Sequence, residues 1–181
     1  MQYIDDISQL DPLSVHFFDE AGVKKTSGNR QYGHSLRGQP AFEVQRYTSD
    51  VNYTLHLLHC ARGVDYFNIL DGPSNGLEMI YFFEEALEVV DEQDDQILSP
   101  GDTVVMDNCG FHHGRIAEPY LRELLGEREV TLVFQPPYSP EFNTCEMCFR
   151  FVKGYLRKHD VFAVRQFTET AIIEAVSDIT R

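Results

Sequence analysis

The 181-residue sequence predicts an α/β fold with a central mixed five-stranded sheet flanked by helices. Strand-like apolar runs alternate with helically spaced apolar residues, and segments rich in Gly and Pro separate them. The apolar fraction, 43%, is sufficient for a packed core. We expect a single domain over residues 1–181, because this length suits one core and no stretch resembles an interdomain linker.

Three strands are predicted first. Ser14 to Asp19 is a β-branched and aromatic run that ends in a carboxylate, and Ala21-Gly22 is expected to form the turn after it. Tyr53 to Cys60 and Val64 to Leu70 are two further strand-like runs, joined by a short connection that contains Gly63. Together the three runs predict an antiparallel meander.

Helices and two more strands follow. Apolar spacing of three and four residues predicts helices, and continuous apolar runs bounded by Gly or Pro predict buried strands. The predicted elements are a helix from Gly76 to Val90, a strand from Asp102 to Asp107, a helix from Ile116 to Leu125, a strand from Val130 to Phe134, and final helices over Glu141–His159 and Val164–Ile179.

The net charge of -14 argues against a broadly basic, nucleic-acid-binding surface. Contact with phosphates therefore has to be local, and two clusters offer it: Lys24, Lys25, Arg30 and Arg37, and Arg150, Lys153, Arg157 and Lys158. No apolar run reaches the roughly 18 residues of a membrane helix, so no membrane partner is expected. The acidic start of the chain does not resemble a secretory leader, which predicts an intracellular location.

Three carboxylates stand where a two-metal site would need them. Asp19 and Asp107 are each predicted to close a strand, and Glu146 lies in the first turns of the helix after a proline-rich loop. Two metal ions about 4 Å apart can stabilise both the attacking and the leaving oxygen in phosphodiester chemistry. Magnesium prefers carboxylate oxygens, so these three acids are the candidate ligands.

The motifs around these acids are more specific than the acids alone. They are Phe17-Phe18-Asp19-Glu20-Ala21-Gly22, the segment from Val105-Met106-Asp107-Asn108 through His112, and the segment from Gln135-Pro136-Pro137-Tyr138-Ser139-Pro140 to Glu146. They resemble the three acidic motifs of mariner-type DDE transposases. Arg30, Tyr32-Gly33 and Gly38 also resemble the pattern that follows the first motif in that family.

The resemblance implies a ribonuclease-H-like fold, strand cleavage at transposon ends and transfer of the freed 3′ hydroxyl into target DNA. It implies two Mg²⁺ ions, for which Mn²⁺ could substitute, and a nuclear location. Asp19, Asp107 and Glu146 would be the catalytic and metal-binding residues, and a homodimer is kept open as a further partner. Seven residues are candidates for supporting the site or contacting DNA: Asn108, His112, Tyr138, Ser139, Asn143, Arg30 and Lys153.

Several alternatives stay open at this stage. The first motif begins near residue 14, so we expect the family's N-terminal helix-turn-helix domains to be absent. The same carboxylates would serve another nuclease on this fold, or the fold could persist as a non-catalytic interaction module. Zinc at Cys145-x-x-Cys148, with Cys109 and His112 or His113, is a weaker hypothesis than core packing. His16 is expected to be partly exposed, and His112-His113 to begin a helix.

Overall fold

The structure, a computed structural model, describes residues 2–24, 33–42, 52–110, 112–137, 139–159 and 167–179. Among these residues the strands are β1 (Val15–Lys24), β2 (Asn52–Cys60), β3 (Gly63–Asp71), β4 (Thr103–Met106) and β5 (Thr131–Phe134). The helices are α1 (Gln2–Ile7), α2 (Gly76–Ala86), α3 (Ala117–Gly126), α4 (Cys145–Lys158) and α5 (Thr168–Ser177). Single 3₁₀ turns cover Pro12–Ser14 and Pro140–Phe142.

The strands form one five-stranded sheet in the order β3-β2-β1-β4-β5. β1 pairs antiparallel with β2, and β2 with β3, which confirms the predicted meander. β4 pairs parallel with β1 on one side and with β5 on the other. Parallel neighbours require a crossover connection, and α2 and α3 lie in those connections. The predicted mixed sheet is therefore confirmed.

Two apolar clusters cover the two faces of the sheet, because alternate strand residues point to opposite sides. On one face Phe18 packs against Phe82 and Phe83 of α2, with ring centroids 4.9 Å apart in each pair. On the other face Leu55 and Leu57 of β2 pack with the apolar sides of α4 and α5. Helices cover both faces of the sheet. A site can therefore form at the end of the sheet where β1, β4 and β5 have their carboxyl ends.

β1 differs from its prediction. Ala21-Gly22 is not a turn, because β1 keeps its antiparallel register with β2 as far as Lys24 opposite Asn52. Asp19 consequently lies within the strand and does not close it. The parallel pairing of β1 with β4 does end next to Asp19, because its last pair is Phe18 with Met106. The prediction for Asp107 is confirmed, since β4 ends at Met106.

Several helix boundaries also differ. α2 ends at Ala86, short of the predicted Val90, and the acidic residues that follow form exposed turns. His112-His113 lie in a turn, and α3 begins only at Ala117. α4 begins at Cys145 and not at the predicted Glu141, and the side chain of Asn143 accepts a hydrogen bond from the backbone N–H of Cys145.

The prediction that His16 is partly exposed is wrong. Its side chain has no solvent exposure, because it lies between carboxylates of β3 and of the loop before β4, 2.9 Å from Asp65 and 3.3 Å from Asp102. Within the residues that the structure describes, no helix combines the length and the apolar character that spanning a bilayer demands.

Candidate active site

The register of the two central parallel strands places Asp19 beside Asp107. Phe18 of β1 is level with Met106 of β4, so each aspartate is the next residue beyond this last registered pair. Neighbouring strands lie about 4.8 Å apart, and residues at equivalent register point to the same face. Both carboxylates therefore project from the same edge of the sheet, on the face that α4 covers.

α4 brings Glu146 to the same place. Asp19, Asp107 and Glu146 all line one cleft of about 330 Å³ at the carboxyl edge of the sheet. The remaining lining residues are polar or come from the proline-rich loop: Asn108, Gln135, Pro136, Pro137, Ser139 and Asn143. The three acids proposed from the sequence, and three of their seven candidate supporting residues, thus share one cleft.

Asn143 connects α4 to Asp19. Its Nδ2 donates a hydrogen bond to Asp19 Oδ2 at 3.1 Å, and its Oδ1 accepts one from the backbone N–H of Cys145 at 3.0 Å. The side chain is almost fully buried, so both bonds are shielded from water. Asn143 therefore links the start of α4 to the carboxylate of Asp19.

Asp19 carries an unfavourable charge in the metal-free protein. Burial raises its pKa to about 7, against the lowering effect of a hydrogen bond from the backbone N–H of Glu20. The negative charges of Glu20, Asp107 and Glu146 raise this pKa further. Burial and three neighbouring negative charges disfavour the ionised form of this carboxyl group. A divalent cation bound beside it would stabilise the ionised form.

His112 neutralises part of this charge. It is buried, and its Nδ1 lies 2.6 Å from Asp107 Oδ1 while Nε2 lies 3.2 Å from Glu20 Oε2. Burial alone would lower the pKa of His112, but the hydrogen bonds to Asp107 and Glu20 outweigh it and raise this pKa to about 10. His112 is therefore an imidazolium that bridges the carboxylates of β1 and of the loop after β4.

Glu20 was missed by the sequence reasoning. Glu20 follows Asp19 in β1, so its side chain points to the opposite face of the sheet. The acidic cleft lies on the α4 face, and Glu20 therefore does not line it. Its carboxylate contacts His112 at 3.2 Å, and its charge raises the pKa of the neighbouring Asp19. Its position directly after Asp19 in the first motif was the one available signal.

Asn108 is held by a chain of polar contacts that runs to α3. Its Oδ1 lies 2.6 Å from His113 Nε2, and His113 Nδ1 lies 2.8 Å from Glu118 of α3. Its Nδ2 donates to the backbone carbonyl of Gln135 at 3.3 Å. The side chain that lines the cleft is thereby oriented from two sides.

Gln135 also lines the cleft, and the sequence reasoning did not select it. It is buried, yet its Nε2 has no hydrogen-bond partner among the described residues. A buried unpaired amide costs about 1–3 kcal/mol. A phosphate oxygen in the cleft would satisfy that donor. No sequence signal marked it beyond its position immediately before Pro136.

We expect Gln135→Met to separate stability from substrate contact. Removing an unpaired buried amide while keeping the side-chain length should raise the free energy of unfolding by about 1 kcal/mol. DNA affinity in the presence of metal should fall, by about 5-fold for a lost hydrogen bond of about 1 kcal/mol. Urea denaturation and fluorescence anisotropy measure the two effects. A variant with lower stability and unchanged DNA affinity would contradict this role.

A second cleft adjoins the first along α4. It has a volume of about 520 Å³, shares Asn143 and Glu146 with the acidic cleft, and is lined by the basic side chains of Arg150, Lys153 and Arg157. Lys153, a predicted DNA contact, therefore lies next to the acidic site. Two other predicted residues, Arg30 and Tyr138, lie outside the described residues.

The zinc hypothesis on Cys145 and Cys148 is not supported by their surroundings. Both are buried in the apolar cluster between the sheet and α4. Burial raises the pKa of Cys148 to about 11 and that of Cys145 well above its usual range. Cys145 donates from its thiol to the backbone carbonyl of Phe17 at 3.2 Å. These thiols are core residues, as the helical spacing favoured.

The acidic cleft suits hard divalent cations. Its donors are three carboxylates with nearby amide oxygens, which is the oxygen-rich set that Mg²⁺ and Mn²⁺ select. His112 and the backbone N–H of Cys109 both contact Oδ1 of Asp107. Among the described residues Oδ2 has no such contact, so it is available to an ion. The excess negative charge around Asp19 favours the same occupant.

Comparison with known proteins gives a family and a fold. Residues 14–167 match a family profile described as "DDE superfamily endonuclease". No curated protein matches the chain. Among solved structures, the Mos1 transposase paired-end complex with left transposon end is similar over 99% of this chain and 56% of that chain, with a TM-score of 0.64 and 15% identity.

Two further structures extend the likeness. The Mos1 mariner paired end complex with Mn has a TM-score of 0.64 and 14% identity, over 99% of this chain and 56% of that chain. The simian T-cell lymphotropic virus intasome in complex with PP2A regulatory subunit B56 gamma has a TM-score of 0.51 and 11% identity, over 92% of this chain and 48% of that chain. This chain spans about half the length of these structures' chains. The predicted ribonuclease-H-like fold is confirmed.

Proposed function

Because the chain belongs to the DDE superfamily endonuclease family, we propose that it is the metal-dependent endonuclease and strand-transferase core of a mariner-type cut-and-paste transposase. The observation that carries the proposal is the single cleft in which Asp19, Asp107 and Glu146 meet. Those acids come from two adjacent parallel strands and a helix after a proline-rich loop, and the strand register places the two aspartates side by side.

We propose Asp19, Asp107 and Glu146 as ligands of two Mg²⁺ ions, with Mn²⁺ as a substitute. When bound, such ions stabilise charge on the attacking and the leaving oxygen of a phosphodiester. The protein's own task is to orient the ligands. Asn143 does so for Asp19 through the 3.1 Å hydrogen bond, and His112 does so for Asp107 through the 2.6 Å contact.

The DNA partner follows from charge distribution. The chain is acidic overall, but Arg150, Lys153 and Arg157 line the cleft that continues from Glu146, and none of the three is paired with a carboxylate among the described residues. A phosphate backbone lying along α4 would pass from these cations into the acidic cleft. We propose that transposon ends and target DNA bind there, that two chains act as a homodimer, and that the protein works in the nucleus.

Lys153→Ala should weaken DNA binding without changing metal binding. Loss of one phosphate contact should reduce the slope of log affinity against log salt by about 1. Fluorescence anisotropy over a salt series measures this slope. Arg128→Ala is a matched control. Arg128 precedes the start of β5 and pairs with Glu88, at the end of the strands away from the acidic cleft. Equal slopes in the wild type and Lys153→Ala would remove α4 from the proposed path.

Nicking of supercoiled plasmid tests the function directly. The purified chain should nick DNA with Mg²⁺ or Mn²⁺ and should not do so with EDTA. Glu146→Gln should abolish nicking, because it removes a ligand charge while keeping the side-chain size. Glu169→Gln is its matched control, since Glu169 is likewise exposed in the first turn of a helix, α5.

Other outcomes would lead to the alternative functions. A folded chain that binds DNA, does not nick it and shows no calorimetric Mn²⁺ binding would indicate a non-catalytic interaction module. Nicking without joining of a 3′ hydroxyl end to target DNA would indicate a nuclease on the same fold. Nicking that survives in Glu146→Gln would refute the proposed ligand set.

A further inference from the structure

A second cluster of side chains that could bind a metal ion lies at the start of β1, at the opposite end of the parallel strands from the acidic cleft. His16 of β1, Cys60 at the end of β2 and Asp65 of β3 place one donor atom each within 4.8 Å of one another. His16 and Cys60 are buried, and the Asp65 side chain is 10% exposed. His16 therefore joins two residues of the β2–β3 hairpin, and each of the three strands contributes one residue.

The contacts within this cluster converge on Asp65. His16 Nδ1 lies 2.9 Å from Asp65 Oδ2, and the Cys60 thiol donates to Asp65 Oδ1 at 3.0 Å. Donor atoms around a tetrahedral zinc ion lie roughly 3.3–3.8 Å apart, given bonds of about 2.0–2.3 Å. A zinc ion could replace the protons that His16 and Cys60 share with Asp65. The donor atoms would then have to move apart by only a few tenths of an ångström from their present 2.9 and 3.0 Å.

The other nitrogen of His16 points to the same conclusion. Nε2 is fully buried and has no hydrogen bond of acceptable geometry among the described residues. Its neighbour is Asp102 Oδ2, 3.3 Å away, and this oxygen also accepts the backbone N–H of Ser99 at 2.7 Å. A metal-binding histidine commonly donates its second N–H to a carboxylate that fixes the ring. Asp102 Oδ2 is near enough to accept that N–H once the ring rotates slightly on binding an ion.

Two more features suit a thiolate ligand and an entry path. The backbone N–H of Arg62 donates to Cys60 Sγ at 3.3 Å, which would stabilise negative charge on sulfur. Asp65 also lines an open cleft of about 450 Å³ with Asp91, Glu92 and Arg62. Three acids and one base give this cleft a net negative charge, which favours the entry of cations from solvent.

We propose that His16, Cys60 and Asp65 bind one Zn²⁺ ion, with Asp102 as the carboxylate that orients His16. The donor set of nitrogen, sulfur and oxygen favours zinc over Mg²⁺, which binds oxygen. Three protein ligands leave the fourth position to water. The ion would connect β1, β2 and β3 and so stabilise the sheet, and the site is independent of the proposed nuclease function.

Cobalt spectroscopy tests the site in the complete chain. After EDTA treatment and with Mg²⁺ present, Co²⁺ should produce thiolate-to-metal charge-transfer absorption in the near ultraviolet. Cys60→Ser should abolish that band. Cys109→Ser is the matched control and should retain it, because Cys109 belongs to a different cluster with Glu20 and His112. Zn²⁺ should raise the Tm of the wild type and of Cys109→Ser.

A variant that keeps all three ligands guards against misfolding. Asp102→Asn should retain the charge-transfer band and weaken Co²⁺ affinity by about 10–100-fold, the range for carboxylates that support a ligating histidine. No charge-transfer band in the wild type, a band that survives in Cys60→Ser, or a Tm unchanged by Zn²⁺ would overturn the proposal. The cluster would then be a buried histidine held between two aspartates.

Discussion

Asp107→Asn is expected to reduce metal-dependent nicking by at least about 100-fold, because it removes one ligand charge without changing the side-chain size. Mn²⁺ binding measured by calorimetry should be lost in parallel. The same variant should lower the pKa of His112, which Asp107 and Glu20 together raise to about 10 against the effect of burial. Nuclear magnetic resonance titration of the imidazole measures this shift.

Asp6→Asn is the control for this experiment, because Asp6 is an exposed aspartate of α1. It should leave nicking, Mn²⁺ binding and the pKa of His112 unchanged. Nicking that persists in Asp107→Asn at wild-type rate would exclude Asp107 as a ligand. Loss of nicking with an unchanged His112 pKa would contradict the observed contact between the two side chains.

Asp19→Asn should stabilise the metal-free protein and abolish its stabilisation by metal. The folded-state pKa of Asp19 is about 7, against an ordinary value of 3.8, so folding favours the protonated carboxyl. Stability from this group is present below pH 4 and is lost as the pH rises through 7. At pH 8 the neutral asparagine should therefore raise the free energy of unfolding by about 2 kcal/mol, an estimate that allows for partial solvation.

Urea denaturation with EDTA at pH 5 and pH 8 measures this effect. The advantage of Asp19→Asn over the wild type should be large at pH 8 and small at pH 5, where Asp19 is protonated. Added Mn²⁺ should stabilise the wild type and not the variant, because binding to the folded state shifts the equilibrium. An Asp19→Asn protein that is less stable than the wild type at pH 8 would show that its charge is compensated in the absence of metal.

Local patterns predicted most of the elements correctly. The apolar run before Asp107 predicted a buried strand, and all four residues of β4 are buried. The stripe on α4 predicted its buried face, including Cys145, Phe149 and Val152. Such patterns succeed because burial on one face imposes a period that is visible in the chain itself. The family was predicted differently, from the resemblance of the residues around Glu146 to the third family motif, and the profile match confirms it.

The errors arose where distant partners override local signals. Ala21-Gly22 suggests a turn, but hydrogen bonds to β2 carry β1 through it. The Thr144 hydroxyl lies 3.2 Å from His59 of β2, a contact that no local pattern predicts. His16 looked like an exposed strand residue because the carboxylates that surround it come from residues 65 and 102.

The sequence by itself determined which three acids are proposed, and the two strands and the helix that place them, because apolar runs and motif spacing are local properties. Only the tertiary structure decided their arrangement. The parallel register of β1 and β4 brings Asp19 to Asp107, and Asn143 and His112 orient the two carboxylates. Glu20 and Gln135 join them from positions that only their places in the first and third motifs had marked. The contacts of His112 with Glu20 and of Asn143 with Asp19 join residues about 90 to 125 positions apart. They depend on how the strands pair, and the spacing of apolar residues along the chain does not encode that pairing.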